Sequence, residues 1–261
     1  MNRSWGVRLS MTAAASALSL AFITGCSSDS DEGKKDTAAD AKATPTAAAA
    51  PAAKASTAAE LKKLLLATGD VTGYSVETTK ELLPKSKAEG KADKVECGPL
   101  LWATLALPPG DTNVSANTSL KEDKKPATSG KPSLAASLDV NRTLVGLSSY
   151  EGDGATKAMK AVSDSATACA GGFTSTDADG EPTKISKVTT EKGTGGGDEA
   201  LAFAETVDVE GSSMAVHGEV IRKGNTIATF YTINAAAYLQ PNGKMPMNPP
   251  AIITAQLTKL K

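Results

Sequence analysis

One histidine and three cysteines in 261 residues leave little from which to assemble reactive chemistry. A structural zinc site takes about four such ligands, and a Ser/His/Asp or Cys/His arrangement needs a histidine beside its nucleophile. No metal site, cofactor or catalytic residue is therefore expected, and the chain is not read as an enzyme. Aromatic residues make up 4% of the sequence, so any core has to be mainly aliphatic and lightly filled. Charge of one sign is also missing, with 28 Lys and Arg against 29 Asp and Glu. Such a balance gives no long-range field to attract nucleic acid, which is set aside as a partner. There is no internal repeat at solenoid or propeller period. What remains is the composition of one ordinary domain with flanking segments.

The first 25 residues have the layout of an export signal. Arg3 and Arg8 stand in a short acid-free start, followed by an apolar stretch from Leu9 to Ile23. A spanning helix needs about 20 apolar residues to cross about 30 Å of hydrocarbon, and this stretch is shorter and interrupted by Ser10, Thr12, Ser16 and Ser19. It ends in Ile23-Thr24-Gly25-Cys26, which resembles the bacterial lipobox. Cys26 is accordingly expected to be the lipidated first residue of the mature chain, carrying fatty acyl groups such as palmitate. Two or three acyl chains on one residue hold a protein firmly to a membrane, whereas a single chain holds it only marginally. Loss of Arg3 and Arg8 with the signal would leave 26 basic residues against 29 acidic ones.

Residues 26–56 follow as a linker of Ala, Pro and mixed charges with no large apolar side chain. Such a segment cannot bury a core and is expected to be a disordered tether, holding the domain about 30 Å from the membrane. The folded domain is placed at 57–261.

Within it, Thr57-Ala58-Ala59-Glu60 is a capping-box pattern opening a helix through Leu61, Leu64 and Leu65 that stops by Gly69. Tyr74 to Thr78 can extend as a strand. Cys97 to Leu105 reads as a second helix with Pro99 in its first turn. The polar stretch 111–133 reads as one weak strand and a mobile connection, and 133–150 as a long strand with a bulge. Ala155, Met159, Val162, Ala166 and Cys169 are spaced as one helical face, with Gly171-Gly172 as the stop. Four period-two segments follow, at 183–191, 201–209, 214–222 and 226–233, with Lys223-Gly224-Asn225 as a tight hairpin signature. Pro249-Pro250 starts a last helix. The fold class is α+β: an antiparallel sheet of about five to six strands packed with about four helices over one face, a single domain after the tether.

Cys97 and Cys169 are the thiols left after lipidation, and the export signal places them in an oxidising compartment. They are expected to form a structural disulfide, since no C-x-x-C spacing suggests redox activity; two separate buried thiols are the alternative. His217 alternates onto the face opposite Met214, Val216 and Val220, beside Glu219 and Ile221, and reads as a sheet-surface residue. Gly193 to Glu199 reads as a turn, because two acids follow the glycines where a phosphate loop would carry Lys and Ser/Thr. Asp177, Asp179 and Glu181 lack the calcium-loop spacing and read as a solvated turn.

The order of these elements resembles the PknH-like extracellular sensor domain, over about residues 57–261. The residues carrying the likeness are Leu64-Leu65-Leu66 with Asp70-Val71-Thr72-Gly73-Tyr74, the early Cys97, the helix from Ala155 to Cys169 followed by Phe173, the turn Arg222-Lys223-Gly224-Asn225, and the closing helix Ile252 to Leu260. That family occurs at the outer end of mycobacterial receptor kinases and as free-standing actinobacterial lipoproteins. Its members often carry two disulfides around a sheet with a central cleft, where this chain can make one. The resemblance implies a non-catalytic, sensor-like domain on the extracytoplasmic face of the cell membrane, holding a small envelope ligand or a protein partner between sheet and helices. Without a kinase segment in these residues, direct signalling across the membrane is not expected. A second reading is a carrier for an envelope lipid or glycolipid, which would need a much larger apolar cavity.

Overall fold

Alternation of apolar and polar residues decides most of this architecture, because a strand with one face on a core repeats every two residues. The structure is a computed structural model and describes residues 54–77, 83–123, 138–209, 212–239 and 244–260. The described residues belong to one compact unit, Ala49–Lys261. The export signal, Cys26, the linker as far as residue 53 and much of the polar connection before residue 138 lie outside the described residues.

The strands are β1 (Tyr74–Val76), β2 (Gly90–Ala92), β3 (Ser115–Glu122), β4 (Asn141–Ser149), β5 (Phe173–Asp177), β6 (Pro182–Glu191), β7 (Glu199–Val209), β8 (Ser212–Lys223) and β9 (Thr226–Asn234). They form one antiparallel sheet in the order β1-β3-β4-β9-β8-β7-β6-β5-β2. Among the described residues four α-helices accompany them: α1 (Ala58–Leu64), α2 (Gly98–Thr104), α3 (Gly154–Ala168) and α4 (Pro250–Lys259). The sheet is thus wider than the five or six strands expected. Two of the additional strands, β2 and β5, are short and sit at one margin, where little burial is needed and alternation leaves a weak trace. The strand expected from residue 133 begins at Asn141, and its pairing with both neighbours runs without a bulge. The register shift lies instead in β6, between Ile185 and Lys187.

The helices lie on both faces of the sheet, not on one as expected. On the first face α2 and α3 pack over Phe173, Val188, Phe203, Val216, Val220 and Ile227. On the second, α1 and α4 cover Leu120, Val145, Leu147, Ile221, Ala228 and Phe230. The reason is visible in the central strands: Val220 and Ile221 are successive residues of β8, point to opposite faces and are both fully buried. Few as the aromatics are, Tyr150, Phe203 and Phe230 are among the largest fully buried side chains.

Local chemistry fixes the helix ends. Thr57 and Glu60 form a reciprocal capping box at α1. α3 buries mostly small residues, Ala155, Ala158, Ser165 and Ala166 around Met159 and Val162, which lets its axis approach the sheet closely. Cys97, at the N-cap of α2, and Cys169, at the C-cap of α3, are joined by a disulfide with Cα atoms 5.9 Å apart. Gly218 in β8 is a close-approach position: a Cβ there would lie 2.3 Å from the Phe203 ring.

Candidate functional site

Register brings together residues that lie far apart in sequence. On the second face of the sheet, β7 places Ala202 beside both Glu191 of β6 and Glu219 of β8, and Ala204 beside His217. Two strand spacings, about 9.6 Å, separate β6 from β8. With alanines between them, the Glu191 side chain can reach across β7, and its Oε2 lies 2.8 Å from Nδ1 of His217. The imidazole side chain is 15% exposed and the carboxylate 28%, so the pair sits in a recess. His217 is therefore less open than the sheet-surface position expected. Its face is covered by the segment leading into α4.

Beside this pair Glu219 is 3% exposed, and a buried carboxylate is costly unless it accepts hydrogen bonds. It accepts two, from the backbone N–H groups of Thr194 at 3.1 Å and Gly195 at 2.8 Å. The glycine-rich segment after β6 is thus a loop folded back over the sheet and fastened to a carboxylate. Gly195, Gly196 and Gly197 all have positive φ (71°, 103° and 70°), a conformation other residues adopt only under strain. A Cβ on Gly193 would lie 2.5 Å from Oε1 of Glu219. The loop closes on Arg222, which holds Asp198 and Glu199 at 3.0 and 2.8 Å.

The other wall comes from the residues before α4. Asn248 is buried and fully used: its amide donates to the carbonyls of His217 and Phe230, and its Oδ1 accepts from Thr232. That fixes Met247, 54% exposed, and Pro250 at the rim. The result is an open cleft of about 430 Å³ between β6 to β8, the glycine loop and the approach to α4. Its size falls within the range of small-molecule sites, about 300 to 1,000 Å³. A carboxylate holding one nitrogen of an imidazole fixes the ring's orientation and presents the other nitrogen. Among the described residues no hydroxyl or thiol is hydrogen-bonded to that ring.

Of the residues singled out in the sequence, Cys26 lies outside the described residues, and the Cys97–Cys169 disulfide is on the other face from the cleft. Among the described residues no group of three or more His, Cys, Asp and Glu converges to hold a metal ion. Asp177 caps the β5–β6 turn by accepting from the N–H groups of Asp179 and Glu181. Sequence reasoning passed over Glu191 and Asn248, and noted Glu219 as no more than a neighbour of His217. The available signal was the alternating Ala200, Ala202 and Ala204, which leave space on a sheet face.

One more group stands out. Glu205 of β7 points to the first face, is 4% exposed, and its Oε1 has no hydrogen-bond partner. Burial pushes its pKa up to about 8, so it is protonated at neutral pH. Tyr231, near Glu205 and Tyr238, has its phenol pushed well above the usual value, again mainly by burial.

Fold and cleft together define an α+β domain with a single antiparallel sheet and a small recess on one face. The sequence matches no protein-family model and no curated protein. Among solved structures it is similar to the extracellular domain of PknH from Mycobacterium tuberculosis, with 12% identity over 79% of this chain and 96% of that chain, at a TM-score of 0.47. No residue role is carried across from that likeness.

Proposed function

We propose that the chain is a lipoprotein anchored to the extracytoplasmic face of the cell membrane through acyl groups on Cys26, and that its folded domain binds a small envelope ligand without transforming it. The observation that carries the binding reading is the cleft at Glu191, His217 and Met247, whose volume of about 430 Å³ suits a small molecule. Its polar groups are largely committed to partners within the protein, which keeps its shape fixed before a ligand arrives, and such preorganisation lowers the cost of binding. A lipid carrier would need a cavity well beyond the open recesses of about 430 to 540 Å³ found among the described residues.

Native mass spectrometry of the full chain, extracted from its own membranes in mild detergent, tests this reading. The expected result is a chain with acylated Cys26 and either no adduct or one small ligand released on activation. A stoichiometric diacyl lipid bound non-covalently to the domain would overturn it in favour of the carrier.

A further inference from the structure

The cleft has a definite chemical bias. Backbone N–H groups of a glycine-rich loop are the usual holders of an anion, but here those of Thr194 and Gly195 are already taken by the Glu219 carboxylate. An anionic ligand would lack those donors and would meet two carboxylates, Glu191 and Glu219. Against them stands, among the described residues, a single cation on the lining, the exposed Lys192.

A hydrogen-bond acceptor is better placed. Oε2 of Glu191 is engaged with Nδ1 of His217, while its Oε1 has no hydrogen bond among the described residues. The imidazole held by that carboxylate lies beside it on the same lining. Facing this corner are Ala202, Met247 and Pro250, a wall without donors. Among the described residues no aromatic side chain lines the cleft, which offers a sugar or a flat ring no stacking surface there.

A carboxylate oxygen at one end and an aliphatic wall at the other fit one ligand type. We propose, resting on the binding reading above, that the cleft takes a protonated amine on a short aliphatic stem, its ammonium donating to Glu191 Oε1 beside the His217 ring while the stem lies along Met247.

The chain's sole histidine makes the test direct, since its imidazole resonances report on this cleft alone. The full chain is titrated with hexylamine, hexanol and hexanoate near about pH 7.5, where the amine is protonated. The expected result is a saturable shift of the His217 signals with hexylamine, with hexanol and hexanoate binding at least about tenfold more weakly. Glu191→Gln should weaken hexylamine by at least about tenfold, while Lys160→Ala, on exposed α3, should leave it unchanged. Equal or tighter binding of hexanol or hexanoate would overturn the amine assignment yet leave the binding domain standing. No saturable shift with any of the three would also overturn it, independently of the mass-spectrometric test. Because the ligand series is read on the wild-type protein, the result does not depend on the variants folding.

Discussion

Glu205 shows how a single side chain can set the pH dependence of the whole domain. Its folded-state pKa is raised to about 8 from an ordinary 4.5 by burial. A group raised in this way binds its proton more tightly in the folded state, so stability is fullest below pH 4.5 and declines as pH rises through about 8. Within that window Glu205 alone contributes a slope of at most about 1.4 kcal/mol per pH unit. Urea unfolding at a series of pH values should show wild-type stability falling over the window and a Glu205→Gln variant that is much flatter. Parallel curves for the two proteins would contradict this assignment. Glu205 was not legible in the sequence, because alternation places it on the core face of β7, where a carboxylate violates the pattern that defines the strand. Its neighbours on that face, Phe203 and Val207, obey the pattern and are buried.

At the scale of elements, two fastenings matter. The disulfide ties the start of α2 to the end of α3 across a separation of 72 residues. In the chain-entropy account a loop of that length is worth about 4 kcal/mol. A Cys97→Ser, Cys169→Ser double variant should therefore melt roughly 10 °C lower; an unchanged Tm would show that packing of α3 alone holds the first face together. The second fastening is the glycine loop on Glu219. Glu219→Ala leaves the N–H groups of Thr194 and Gly195 without their acceptor and should cost about 1 to 3 kcal/mol. Amide hydrogen exchange at these two positions should speed up while the β8–β9 pairing stays protected. Retained slow exchange at Thr194 and Gly195 would mean that the loop is held by other contacts.

These elements also show where sequence reading works. The capping box at Thr57, the Ala155 to Cys169 helical face and the Gly224-Asn225 turn are local signals, each contained in a few residues, and each marks an element of the fold. The two-faced burial of the sheet is not local: it depends on Val220 and Ile221 both finding helices, which alternation within β8 cannot reveal. The cleft is less local still. Glu191 and His217 meet across β7, so their pairing depends on the registers of β6 with β7 and of β7 with β8.

For the whole molecule, the proposed arrangement is a domain with a recess on one sheet face, carried outside the cytosol on a leash that starts at an acylated cysteine. No helix among the described residues is long and apolar enough to cross a membrane, and the anchor invoked here is lipid. Metabolic labelling with palmitate tests that claim most directly, comparing the wild-type chain with Cys26→Ala in membrane and soluble fractions. The account predicts labelled wild-type protein in the membrane fraction and an unlabelled variant. Wild-type protein that takes up no more label than Cys26→Ala, or that is recovered from the cytosol, would contradict it.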